Sequence, residues 1–293
     1  MISTLEKEIT FRFLKARKKD GFLNVISIFS FIGISLGVAV LIIVMSVMNG
    51  FRTELINKIV GFNSHITIKS YDDNGIDQNK LNNNNLKSIS ENLVFSNSGE
   101  AIILKNNTSK GIVLRGYLTK EFSDLAIIKN DKLKGNRSKL NKNSISIGNE
   151  LSFSLDLKIG DKITLMSPSG VETIIGSMPK QKTFEITSIF NSGLAEFDNN
   201  IAIINLDTLD EFFDFEQKDR NLEIYLKDPK NIESQKQIVQ KIFDQEFIFT
   251  WADMNSSLFS ALKVERNVMF IILSLIIIVA AFNIISGLTI LVK

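Results

Sequence analysis

The chain has 293 residues, of which 44% are hydrophobic, with no cysteine, 3 prolines, 1 histidine and a formal net charge of +2. The missing cysteines exclude a disulfide scaffold, a zinc ribbon and a thiol enzyme. A single histidine leaves no His-based catalytic or metal cluster, and a charge this close to zero carries no footprint of nucleic acid.

The hydrophobic residues are concentrated in two places. No charge occurs from Gly21 to Phe51 or from Asn267 to Val292, and 41 of those 57 residues are hydrophobic. The remainder is only about 37% hydrophobic, below an ordinary globular domain. The sequence therefore reads as a polar domain carried between two membrane segments.

Residues 1–20 place Leu5, Ile9 and Phe13 near one side of a helix, with Lys15, Arg17, Lys18 and Lys19 clustered at its end. This is the pattern of an amphipathic entry helix at a membrane surface. The first span, 21–51, exceeds the roughly 20 apolar residues that cross a bilayer. It is longer than a signal h-region and no A-x-A site follows, so it reads as an uncleaved anchor. Gly33 and Gly37 within it have the small-residue spacing of a helix-packing face. Six basic residues before this span face three acidic ones, which places the N-terminus in the cytoplasm and 52–266 outside. In a Gram-negative cell that is the periplasm, and the chain an inner-membrane protein. The second span, 267–292, carries Asn283, a polar side chain at membrane depth that calls for a protein or water partner.

Between the spans, alternating runs at His65–Ile68, Ala101–Leu104, Gly111–Tyr117, Ser144–Ile147, Lys162–Met166, Thr183–Phe190, Ile201–Asn205 and Leu222–Leu226 predict strands. Helical spacing appears at Asn79–Glu91, Leu206–Phe215 and Ile232–Phe247. The class is α+β. The Lys- and Asn-rich stretch 129–143 reads as a linker. An α/β subdomain is expected from 62–138 with 219–255, and a mostly-β subdomain inserted in it from 139–218.

The sixteen-residue connection Ser167–Lys182 holds two of the three prolines, Pro168 and Pro179, with Val171, Ile174, Ile175 and Met178 beside few charges. Hairpin loops usually run about two to five residues. A proline-stiffened apolar projection suits a docking loop, because stiffness lowers the ordering cost of binding. The alternative is that Val171–Ile175 is a further strand.

No P-loop or G-x-S-x-G elbow occurs. His65 reads as a packing or surface residue, and Asp207, Asp210 and Glu211 as helix-start carboxylates. No catalytic residue, metal ligand or cofactor site is expected, and the chain is not read as an enzyme.

Phe13-Leu14-Lys15-Ala16-Arg17, Gly21-Phe22, Gly33 through Gly37 and Val47-Met48-Asn49-Gly50-Phe51-Arg52 resemble the entry helix and first span of the LolC/LolE membrane subunits of the lipoprotein-releasing ABC transporter. Val264-Glu265-Arg266-Asn267-Val268-Met269-Phe270 and Ala280-Ala281-Phe282-Asn283-Ile284-Ile285-Ser286 resemble its second span. The resemblance runs the length of the chain. It implies a MacB-like periplasmic core and a permease subunit of the FtsX-like superfamily that takes lipoproteins from the inner membrane for outer-membrane targeting. The implied partners are a cytoplasmic ATPase that hydrolyses ATP, a second membrane subunit (a copy or a relative), a periplasmic lipoprotein carrier and the lipoproteins themselves. It also implies that Ser167–Lys182, with Gly176-Ser177-Met178-Pro179 as its best match, docks the carrier.

Family members have four spans, so this two-span sequence is expected to be the first part of such a chain. Three acyl chains expose about 45 methylenes, and moving them into water would cost roughly 36 kcal/mol. A sheltered path is therefore expected along Met45, Met48 and Phe51 of the first span and Met269 and Phe270 of the second. Rival readings are a two-span sensor with an extracytoplasmic domain and an efflux or mechanotransmission permease of the same superfamily.

Overall fold

The computed structural model describes residues 4–6, 8–9, 21–71, 74–105, 108–125, 133–136, 140–173 and 176–292. The chain divides into two compact units, Met1–Glu54 with Ser256–Lys293, and Leu55–Asn255.

Helix α1 spans Gly21–Phe62. At 1.5 Å per residue its 42 residues extend about 63 Å, roughly twice a hydrocarbon core. The C-terminal helix, α9, spans Ser256–Val292. Both are long and apolar enough to cross a membrane. Hydroxyls in both helices bond back to the preceding turn, Thr53 Oγ1 to the Asn49 carbonyl at 2.9 Å, Ser274 Oγ to Phe270 at 2.9 Å and Thr289 Oγ1 to Ile285 at 2.7 Å among them. Such bonds satisfy a donor that lipid would leave bare. Of the expected entry helix, residues 4–6 and 8–9 are helical and the rest lies outside the described residues.

The second unit contains one ten-stranded sheet. Its strands are β1 (Ile66–Lys69), β2 (Ser90–Lys105), β3 (Thr108–Tyr117), β4 (Leu133–Gly135), β5 (Ser144–Gly148), β6 (Lys162–Thr173), β7 (Gly176–Phe190), β8 (Ile201–Asn205), β9 (Asn221–Leu226) and β10 (Phe247–Thr250). Short helices α2 (Asn84–Ile89), α3 (Thr119–Asp124), α4 (Asn149–Ser154), α5 (Ala195–Asn200), α6 (Leu206–Phe213), α7 (Ile232–Ile242) and α8 (Trp251–Met254) fill the connections.

The order β10-β1-β9-β2-β3-β8-β5-β7-β4 has one further strand, β6, bonded to both β7 and β2. The path β2-β3-β8-β5-β7-β6 therefore returns to β2 and closes a six-stranded barrel. Each strand contributes two alternate side chains to one core: Ala101 and Ile103, Ile112 and Leu114, Ala202 and Ile204, Ile145 and Ile147, Phe184 and Ile186, and Ile163 and Leu165. Period-two alternation puts such pairs on one face of a strand. Sequence reading assigns β5 to β8 to an inserted subdomain; in the structure they share this barrel with β2 and β3.

The long β2 serves two partners along one edge. It pairs β9 through Ser90–Ser96 and β6 through Ile102–Leu104, while β3 runs along the other edge. Sequence reading finds only Ala101–Leu104 of it. Gly99 lies mid-strand beneath Phe213, whose ring carbon would lie 2.6 Å from an added Cβ. Helices plug the barrel: Leu151 of α4, with Leu157 just after it, and Leu209 and Phe212 of α6 join the same core. Because β5 and β8 are antiparallel and each leads directly into its helix, α4 and α6 close opposite ends.

Two other predicted elements are corrected. The helix expected over Ile232–Phe247 ends at Ile242, and Phe247 opens β10. The expected linker 129–143 holds β4, which pairs β7, and Leu140, which is fully buried.

Candidate functional site

The sixteen residues read as a connection are largely paired strand. β6 and β7 continue beyond the barrel as a hairpin, with Gly170 opposite Pro179, Val171 opposite Met178, Glu172 opposite Ser177 and Thr173 opposite Gly176. Ile174 and Ile175, between the strands, lie outside the described residues. The register shifts between Met166 and Gly170, so Ser167, Pro168 and Ser169 on β6 face only Lys180 on β7. A bulge of this kind bends a ladder and raises its twist, and proline, which has no N–H, is tolerated there.

Pro168 and Pro179 are exposed, as is Met178 at 62%. The segment is thus strand, as the second of the two readings expects, and the pair carries Pro179 and Met178 near its tip. At about 3.3 Å per residue, the seven β6 residues after Met166 reach roughly 23 Å.

The hairpin is tied at its root. On β7, alternation places Phe184, Lys182, Lys180 and Met178 on one face. Phe184 is in the barrel core, so the lysines continue the inner face past the barrel mouth toward α6. Lys180 Nζ pairs with the Asp214 carboxylate and lies 3.4 Å from the Glu211 carbonyl, and Lys182 Nζ is 3.6 Å from Glu211 Oε2. Asp214 caps α6 in the left-handed conformation at φ 58. Asp207 in the first turn of that helix and Asp210 in its middle hold Arg220 at 2.7 Å each. Asn205 supplies the helix N-cap by accepting from the Thr208 amide.

Among the residues expected along a lipid path, Met45, Phe51 and Phe270 are exposed on their helices and Met48 and Met269 are half-buried. Gly33 and Gly37 face open space: a Cβ at either would meet nothing within 4 Å. Asn283 lies within α9, and its side chain is outside the described residues.

A buried polar cluster escaped sequence reading. The Glu223 carboxylate accepts from Ser96 Oγ at 2.6 Å, from the Tyr117 hydroxyl at 3.2 Å and from the Tyr225 hydroxyl at 3.0 Å. Burial, followed by the Glu223 charge, pushes both tyrosine hydroxyls up. Nearby, Arg115 donates to Asn63 Oδ1 at 2.8 Å and stacks over the Phe62 ring at 5.1 Å.

His65 is 8% exposed. Its Nδ1 accepts the Leu226 amide at 2.7 Å, leaving Nε2–H to donate to the Val60 carbonyl at 3.3 Å. Burial pushes the imidazole below its usual value, outweighing those bonds. It is a neutral packing residue joining the end of α1 to β9. Among the described residues no group of three or more His, Cys, Asp or Glu is placed to hold a metal ion.

Residues 27–242 match the family described as the MacB-like periplasmic core domain. The chain is 31% identical to the lipoprotein-releasing system transmembrane protein LolC of Neisseria meningitidis serogroup B, over 97% of this chain and 70% of that one. The chain belongs to the LolC/LolE family. A LolE protein of Haemophilus influenzae is 27% identical over 97% of this chain and 70% of its own length. Among solved structures, the periplasmic region of MacB from Actinobacillus actinomycetemcomitans is similar at 11% identity, covering 68% of this chain and 95% of that one, with a TM-score of 0.39. LolC/LolE membership makes this chain a membrane subunit of an ABC-type permease system for lipoprotein release, with a MacB-like α+β core between its two apolar helices.

Proposed function

We propose that the chain works as the half-transporter that removes lipoproteins from the outer leaflet of the inner membrane and passes them to a soluble periplasmic carrier. In this reading the N-terminus is cytoplasmic, the barrel domain periplasmic, and ATP is hydrolysed by a separate cytoplasmic subunit. A second membrane subunit, a copy or a relative, completes the path. Gly33, Gly37 and Asn283 serve helix packing. Met45, Met48, Phe51, Met269 and Phe270 shelter the acyl chains, the thioethers adapting to chains of different shape.

The observation that carries the reading is the β6–β7 hairpin. Pro168, Val171, Met178 and Pro179, with Ile174 and Ile175 between the strands, form the carrier-docking element. Met178 supplies an exposed apolar contact on a strand pair already ordered by its own ladder, so little freedom is lost when a partner binds. Its test is site-specific photo-crosslinking in the assembled transporter. A crosslinker replacing Met178 is expected to capture the carrier, and one replacing Met48 to capture lipoprotein. Absence of a carrier adduct at Met178 removes the docking assignment; absence of a lipoprotein adduct at Met48 removes the lipid path.

A further inference from the structure

We infer that the C-terminal turn of α6 sets the direction in which the hairpin stands, with Glu211 and Asp214 as positioning residues that hold Lys180 and Lys182. The inference deepens the docking reading and rests on it for its functional meaning, but its geometry stands apart.

The bulge at Ser167–Ser169 breaks the backbone ladder between the barrel and the tip, so hydrogen bonding alone does not fix the tip's angle. Lys180 is the β7 residue facing that break, and its ammonium goes to the end of α6, on the Asp214 carboxylate and near the Glu211 carbonyl. Lys182, two residues back on the same face, goes to Glu211 of the same turn. Both lysines are about a quarter exposed while both acids are largely solvent-facing, so the cations are laid down on the domain and the anions sit at its rim.

The platform is stiff. Leu209 and Phe212 of α6 are part of the barrel core. Phe213 packs over Gly99 and stacks on Phe215 with ring centroids 5.5 Å apart. A carbonyl at a helix C-terminus also favours a cation. Two lysines on one rigid turn, placed where the ladder is interrupted, form a strut at the hinge. One exposed pair contributes little to global stability, yet a strut need only bias the orientation of a tip joined to the barrel through an interrupted ladder.

The chain has no cysteine, so two can be introduced without background labelling. Phe153, 86% exposed on α4, lies at the barrel end opposite the hairpin. Spin labels at Met178→Cys and Phe153→Cys in the full chain, in lipid nanodiscs, report the tip-to-barrel distance by pulsed electron resonance. Replacing both acids (Glu211→Lys with Asp214→Lys) is expected to broaden the distance distribution at least twofold. The full swap, adding Lys180→Asp and Lys182→Asp, is expected to restore it. Raising salt to about 1 M should broaden the parent distribution, because exposed pairs are screened there.

An unchanged distribution in the charge-reversed variant, or a swap that fails to restore the parent width, overturns the strut. Carrier capture measured on the same charge variants with Met178 and Phe153 left intact separates the two claims. A broadened distribution with capture unchanged keeps the strut and removes its role in docking, whereas loss of capture on deleting the tip with widths insensitive to Asp214 keeps docking and removes the strut.

Discussion

The same two strands behave differently on either side of Met166. Below it, β6 and β7 are barrel staves: Ile163, Leu165, Phe184 and Ile186 are essentially unexposed, and each strand is bonded on both edges, β6 to β2 and β7, β7 to β6 and β5. Above it, the described pairing of the two strands is with each other, and Lys182 at the barrel mouth and Lys180 just beyond it tie the pair to α6. Burial fixes a strand by many small contacts that no single surface change removes. An outlying hairpin is fixed by few contacts and is correspondingly easy to redirect, which suits a projection that must meet a partner.

The largest expected effect lies in the barrel half. Phe184→Ala removes a fully buried ring and should cost about 3–5 kcal/mol, read as a lowered urea midpoint from the fluorescence of Trp251, the single tryptophan. An equal loss from Met178→Ala would erase the distinction between the two halves.

A middle-sized effect belongs to His65. Its imidazole is held below the ordinary value of about 6.5, so the unfolded chain takes up a proton before the folded one does. Stability is therefore complete above about pH 6.5 and declines as pH falls below it, through the folded value. His65→Gln should flatten that slope, at the cost of about 1 kcal/mol for an imperfectly replaced bond. An unchanged slope in the variant would assign the acid sensitivity to other groups.

The smallest effect on stability is expected at the tip. Met178→Asp should change the unfolding free energy by less than about 0.5 kcal/mol, while carrier capture by the assembled transporter falls at least tenfold. Capture at the parent level would show that the tip's apolar character is irrelevant.

Much of the second unit is legible in sequence wherever a strand is short and has one face in and one out. Ile201–Asn205 and Ser144–Ile147 are read directly, since alternating isoleucines stand between polar turns. What escapes the sequence depends on contacts made far along the chain. No local pattern extends the strand back through Gly99, which Phe213 covers from far along the chain. Ile238, Ile242 and Phe243 recur at helical spacing and carry the expected helix on to Phe247, although Phe243 caps α7 and Phe247 opens β10. Closure of the barrel requires β2 to exchange β9 for β6 along one edge, a decision written in no local pattern. The docking element shows the same limit: prolines and apolar residues mark the segment, but the register shift that frees the tip and the two acids that hold it come from pairing and from a helix thirty residues on. Glu223 looks like an ordinary strand carboxylate, and only the fold brings Ser96 and Tyr117 to it.

The shared edge of β2 also orders events during synthesis. Every stave of the barrel lies between residues 90 and 205, so the barrel has all its strands before β9 has been made. β1 has no such early partner. Among the described residues it pairs with β9 and β10, both encoded after residue 220, and must wait with bare edges while some 150 residues emerge. An unpaired strand edge is a template for wrong association, which makes the interval between β1 and β9 the period in which this domain is most exposed to misassembly.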